Sequence, residues 1–207
     1  YVSLTFSELA LVLCVPEDDM DEFKEILDEL VKKYETTEFI KNDPVGFLHK
    51  FETKQDIEIA GIISSALAYG KREVFIEKLN YIFNLMENKP LDYVKSFDCK
   101  SNVCGCDYRF SKDCDFVQII KILNKLYNEN EGIKSLFEHN YNGEVWSMLQ
   151  GVTDYFYNNV DMEITKGFYH MLPNPKKKSA MKKLRTIHCR ICGEIVEKYK
   201  VNNQTSH

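Results

Sequence analysis

No stretch of this 207-residue chain stays apolar over the roughly 20 residues a membrane-spanning helix needs. The apolar segment from Leu9 to Val15 is too short, has Glu8 at its edge and follows no basic segment, so neither a membrane span nor a secretory leader is expected. Convincing period-two alternation is missing, which excludes half-buried strands as the main element. Internal repeats are missing as well. Positive charge is not in excess: 27 Lys and Arg face 32 Asp and Glu, for a formal net charge of -5. A chain of that sign exerts no global pull on nucleic acid, so any anion site must be local. The sequence has no P-loop, G-x-G-x-x-G, H-E-x-x-H or G-x-S-x-G pattern, and the chemistries those motifs carry gain no support.

What is present points to a folded domain. Hydrophobic residues make up 44%, and 13 Phe and 12 Tyr supply bulk for a core. Charged residues reach 29% with mixed sign, unlike a disordered tail. The length fits one domain, or one with a small appendage. The seven cysteines are odd in number, which fits reduced thiols better than a disulfide scaffold, and a cytoplasmic location is expected.

Helical periodicity runs through the chain. Phe23, Ile26, Leu27, Leu30 and Val31 fall on one face from Met20 onward, with Asp18 and Asp19 able to cap its start. Asn42-Asp43-Pro44 is a turn signal. Thr53 and Asp56 open a helix whose buried face is Ile59, Ile62, Ile63, Ala66 and Leu67, with small residues such as Ser64 and Ser65 suited to close helix contact. A helix from Arg72 carries Val74, Phe75, Leu79, Ile82, Phe83 and Met86 until Pro90 breaks it. Residues 98–115 are the least regular and hold four cysteines. Further helices are predicted over Phe116 to Tyr127, Glu131 to Glu138 and Val145 to Tyr157. Seven to nine helices in an all-α orthogonal array are expected.

Three segments carry a family resemblance: Asn42 to Phe51 (NDPVGFLHKF), Asp56 to Lys71 (DIEIAGIISSALAYGK) and Leu172 to Leu184 (LPNPKKKSAMKKL). Together, over about Met20 to Leu184, the chain resembles an uncharacterised, mainly bacterial family with a domain of unknown function. That family is itself distantly similar to the helix-hairpin-helix (HhH-GPD) DNA glycosylases. The resemblance implies an all-α, multi-helix array of HhH-GPD type, with Leu172-Pro173 and Ser179-Ala180 where the hairpin would lie. It implies DNA as partner, its phosphate held by Lys176, Lys177, Lys178, Ser179, Lys182 and Lys183 around a turn that exposes backbone N–H groups. Lys178 stands where family members have Gly, a strained substitution if that position has positive φ. The family's later Pro-Leu-Asp-Thr-His-Val-like stretch, whose Asp resembles the glycosylase catalytic residue, has no counterpart. The expectation is therefore a C-terminally truncated or frameshifted chain, not active as an enzyme: residues 1–19 a poorly fitting extension, 20–185 the family-like domain, 186–207 a divergent tail.

Other candidate chemistry weighs less. His188 precedes the C-x-x-C of Cys189 and Cys192, half a zinc site. Cys99, Cys104, Cys106 and Cys114 follow no zinc spacing, and C-x-C leaves little room for two sulfurs on one tetrahedral ion. No metal or cofactor is expected. Asp56 and Glu58 read as acid–base candidates or, with more weight, as charge complementing a helix dipole. His49, Tyr69 and His170 are pocket candidates, each with a packed structural role as the plainer alternative. The competing function is a helical scaffold or protein-interaction module without a nucleic-acid role.

Overall fold

Glu58 to Leu67 are buried without a break. They belong to a helix in which isoleucines alternate with Ala60, Gly61, Ser64, Ser65 and Ala66, so neighbours can approach it from every side. The computed structural model describes residues 20–34, 43–98, 104–129, 132–174 and 176. Among these it shows eight α-helices: α1 (Met20–Tyr34), α2 (Lys54–Leu67), α3 (Arg72–Leu85), α4 (Pro90–Lys95), α5 (Asp113–Glu129), α6 (Ile133–Asn140), α7 (Val145–Asn158) and α8 (Lys166–Met171). A 3-10 helix covers Pro44–Lys50. The described residues form no named strand, and none of their helices is long and apolar enough to cross a membrane. The fold class is all-α, as helical periodicity indicates.

Helix α2 is the axis of the fold. It packs against the 3-10 helix, α3, α4, α6 and α8, while α5 lies on α4 and α8, and α6 on α7. The predicted one-sided apolar face of α2 is buried, but the opposite side is buried too. The core is continuous, with Phe83, Phe116, Phe137, Phe156 and Phe168 among its largest fully buried side chains.

The acidic residues of α2 have structural partners beyond their own helix. Thr53 is the N-cap, its hydroxyl accepting from Asp56 N at 3.2 Å. Asp56 Oδ1 then accepts from Leu91 N at 2.8 Å, in the first turn of α4. Glu58 Oε2 accepts from Ile133 N at 3.0 Å and from the Tyr127 hydroxyl at 2.6 Å. Glu58 thereby caps α6, whose own N-cap is Gly132, with no side chain to offer and φ of 114°. Both carboxylates complement the dipoles of other helices.

Pro90 does not break α3. The helix ends earlier, at Leu85, and is followed by Glu87 and Asn88, both left-handed with φ of 53°, with Asn88 N reaching back to Phe83 O at 2.9 Å. Pro90 instead opens α4, where its missing N–H is not needed. Of the apolar face predicted for α1, Ile26 and Leu30 are 49% and 41% exposed; the side chains of Phe23 and Val31 lie outside the described ones.

Candidate functional site

Helix α8 starts where one carboxylate fastens it to the start of α5. Asp115, fully buried, accepts from Lys112 N at 2.8 Å, which caps the start of α5. It also accepts from the Thr165 hydroxyl. Thr165 is the N-cap of α8 and accepts from Phe168 N at 2.9 Å. Gly167 passes so close that an added Cβ would collide with Asp115 Oδ2 and the Phe110 carbonyl.

The Phe110 carbonyl belongs to a two-residue hairpin. Tyr108 and Ser111 exchange both backbone hydrogen bonds at 2.9 Å, leaving Arg109 and Phe110 at the tip. Arg109 has φ of 52°, a conformation that two-residue hairpins favour and side chains resist. Tyr69, just after α2, holds the hairpin down. Its hydroxyl donates to Tyr108 O at 2.8 Å and lies 3.0 Å from Ser111 Oγ, which can donate to it. In return the Tyr108 hydroxyl donates to Tyr69 O. Burial pushes the Tyr108 phenol above its ordinary pKa, with the Arg109 charge opposing the shift. Gly70, at φ of 91°, leaves space that Arg109 fills: a Cβ there would lie 2.5 Å from its Nη1.

The rings form a ladder. His170 stacks on Tyr69 at 4.5 Å and 16°, and Phe110 on His170 at 5.2 Å and 25°. Lys166 Nζ sits 4.8 Å from the Phe110 centroid. Phe110 remains 44% exposed. The result is an aromatic edge with the Lys166 charge over its exposed ring, suited to a flat partner carrying negative charge.

Two of the three pocket candidates, Tyr69 and His170, therefore come together. His49 lines a shallow groove instead, with Phe47, Lys50, Ile76 and Asn80. Lys176 is exposed, with Nζ 3.0 Å from both Asp154 oxygens. Lys177, Lys178, Ser179, Lys182 and Lys183 lie outside the described residues. Sequence reasoning missed Tyr108, Arg109, Phe110 and Ser111, because their turn contains neither Gly nor Asn to announce it.

The cysteine loop beside this hairpin has a structural explanation. Asp113 accepts from Gly105 N at 3.2 Å and Cys106 N at 2.6 Å, while Asp107 accepts from Asp113 N at 2.7 Å and from Lys112 Nζ at 2.9 Å. Cys104, Cys106 and Cys114 are free thiols. Burial, reinforced by the Asp113 charge, pushes the Cys106 thiol up to about 12. Among the described residues, no group of three His, Cys, Asp or Glu could hold a metal ion. Cys99, Cys189, Cys192 and His188 lie outside them.

No curated protein and no solved structure matches the chain. A family model does match, over residues 43–187. That span takes in the ladder, the hairpin and the lysine run, and leaves α1 outside it. The chain thus belongs to the family described as Protein of unknown function (DUF2400).

Proposed function

We propose that this domain binds nucleic acid, with the turn after α8 and the lysines behind it as a phosphate clamp. The carrying observation is the anchored turn that leads into the basic run. Leu172 O is held by the Tyr157 hydroxyl at 2.8 Å, and the Asn174 side chain accepts from Lys176 N at 2.9 Å. A fixed helix end followed by a tight turn and clustered lysines suits a phosphate backbone on a chain that is otherwise acidic. The Lys176–Asp154 pair is no obstacle, since a surface pair of this kind contributes about 0–1 kcal/mol and a phosphate competes with it.

The wider analogy with HhH-GPD glycosylases rests on the sequence segments Asp56 to Lys71 and Leu172 to Leu184. A glycosylase needs a carboxylate facing the flipped nucleotide. Here Glu58 and Asp115 are both engaged as helix caps, so the reading is a binding domain without an assigned catalytic acid. The second reading, a protein-interaction module, draws on Val145 and Trp146, 38% and 53% exposed at the start of α7.

Fluorescence anisotropy with labelled DNA at low and moderate salt tests the first reading. Affinity should fall steeply with salt and be lost when Lys176, Lys177, Lys178, Lys182 and Lys183 are all changed to Ala. A folded sample that binds no DNA at low salt, or binds independently of salt, rejects it and favours the interaction module.

A further inference from the structure

We infer that the Arg109–Phe110 hairpin tip is a stacking seat for a base of a single-stranded nucleic acid. The inference rests on the nucleic-acid reading above and names which form of nucleic acid is taken.

Three observations carry it. Phe110 is a large apolar ring held out in solvent, 44% exposed, by a hairpin with both cross-bonds made. Behind it His170 and Tyr69 continue the stack, so the ring is ordered before any ligand arrives and loses little freedom on binding. A cation lies over the ring, Lys166 Nζ at 4.8 Å, and the preceding residue in the turn, Arg109, adds a second positive charge with its head lodged against Gly70. A nucleotide presents a flat π-face and a phosphate together, and an aromatic ring with adjacent cations answers both without reading sequence. Lys166 is an exposed, flexible chain that can swing from the ring to the phosphate as the base arrives.

The single strand follows from stacking. Bases inside a duplex have both faces covered, and a ring on a short tip reaches them only after they unstack. An unpaired base has a free face already.

The test compares a short labelled oligothymidine with an abasic strand of the same length, at fixed low salt. Phe110→Ala should bind oligothymidine about tenfold more weakly or worse, and bind the abasic strand like wild type. Phe110→Tyr should keep wild-type affinity for both. Phe110→Leu, which preserves an apolar contact with His170, serves as a second non-stacking variant should the alanine variant unfold. Equal affinity of the non-stacking variants and wild type for oligothymidine overturns the inference, as does an equal loss on both strands or a preference for duplex over single strand. The five-lysine variant separates the two ideas. If it loses both strands while the Phe110 variants are silent, the phosphate clamp stands and the stacking seat falls. If wild type binds neither strand, both fall.

Discussion

Changing Glu58 to Ala removes the side-chain cap of α6 and leaves two buried donors without their acceptor. Tyr127 is 5% exposed and Ile133 fully buried, so water does not replace the lost oxygen. Each orphaned donor costs about 1–3 kcal/mol, giving a loss of about 2–6 kcal/mol. For a chain of this size each kcal/mol lowers Tm by about 2–4 °C, so a fall of roughly 4–24 °C is expected. Glu58→Gln keeps an oxygen for both donors and should stay within about 1.5 kcal/mol of wild type. The pH dependence separates the two further. Burial raises the Glu58 carboxyl above its ordinary 4.5, against the hydrogen bonds from Tyr127 and the α6 backbone. Because the folded state holds the proton more tightly, this contribution to stability is full below pH 4.5 and is lost as pH rises through the folded-state value. Urea midpoints by circular dichroism, measured for wild type and Glu58→Gln from acid to neutral pH, should show wild type gaining on the variant toward acid. A Glu58→Ala midpoint shift worth under about 0.5 kcal/mol, in the range of an ordinary surface change, refutes the capping role. A wild type that gains on Glu58→Gln toward neutral pH refutes the sign.

Gly167→Ala should destabilise by about 1–3 kcal/mol or more, since its Cβ meets the Asp115 carboxylate and a backbone carbonyl instead of a yielding side chain; an unchanged urea midpoint contradicts the close approach. Cys104 and Cys114, exposed, should be alkylated quickly at mildly alkaline pH, whereas Cys106, buried with its thiol up at about 12, should react only on unfolding; peptide mapping by mass spectrometry after brief labelling reads this directly. Arg109→Gly relieves a left-handed residue at φ of 52° and should leave stability within about 1 kcal/mol of wild type while weakening single-strand binding. A larger loss of stability would mean that the Arg109 side chain is mainly structural.

Long helices were the legible part of the fold. Ile59, Ile62, Ile63, Ala66 and Leu67 in α2, and Val117, Ile120, Leu123 and Leu126 in α5, repeat at the helical period, and all but the half-buried Val117 are buried. Boundaries were harder. Pro90 reads equally as a stop and as a first-turn residue, and only the left-handed pair Glu87–Asn88 decides between them. Of the site, Tyr69 and His170 were legible as candidates because they fall in or beside the segments that carry the family resemblance. Their stacking is a long-range event, and nothing near Tyr69 in sequence announces His170. The hairpin between them was hidden for a different reason. Arg109 takes a conformation that local preference opposes, and it is held there by Tyr69 from another part of the chain. Val74 and Ile26 show the opposite error: both sit on apolar stripes, yet they are 47% and 49% exposed.

Helices α4 and α6 span only six and eight residues, too short to persist alone in water. Each receives its first-turn acceptor from a residue of α2, more than thirty positions earlier in the chain. Neither can be a seed for folding; each waits on a template made elsewhere. A protein cut after Leu67 should therefore not yield a downstream fragment that folds by itself, yet adding the upstream piece should restore helicity in a step first order in each fragment. The division of labour makes α2 an assembly jig, and the two short helices are the parts it sets in place.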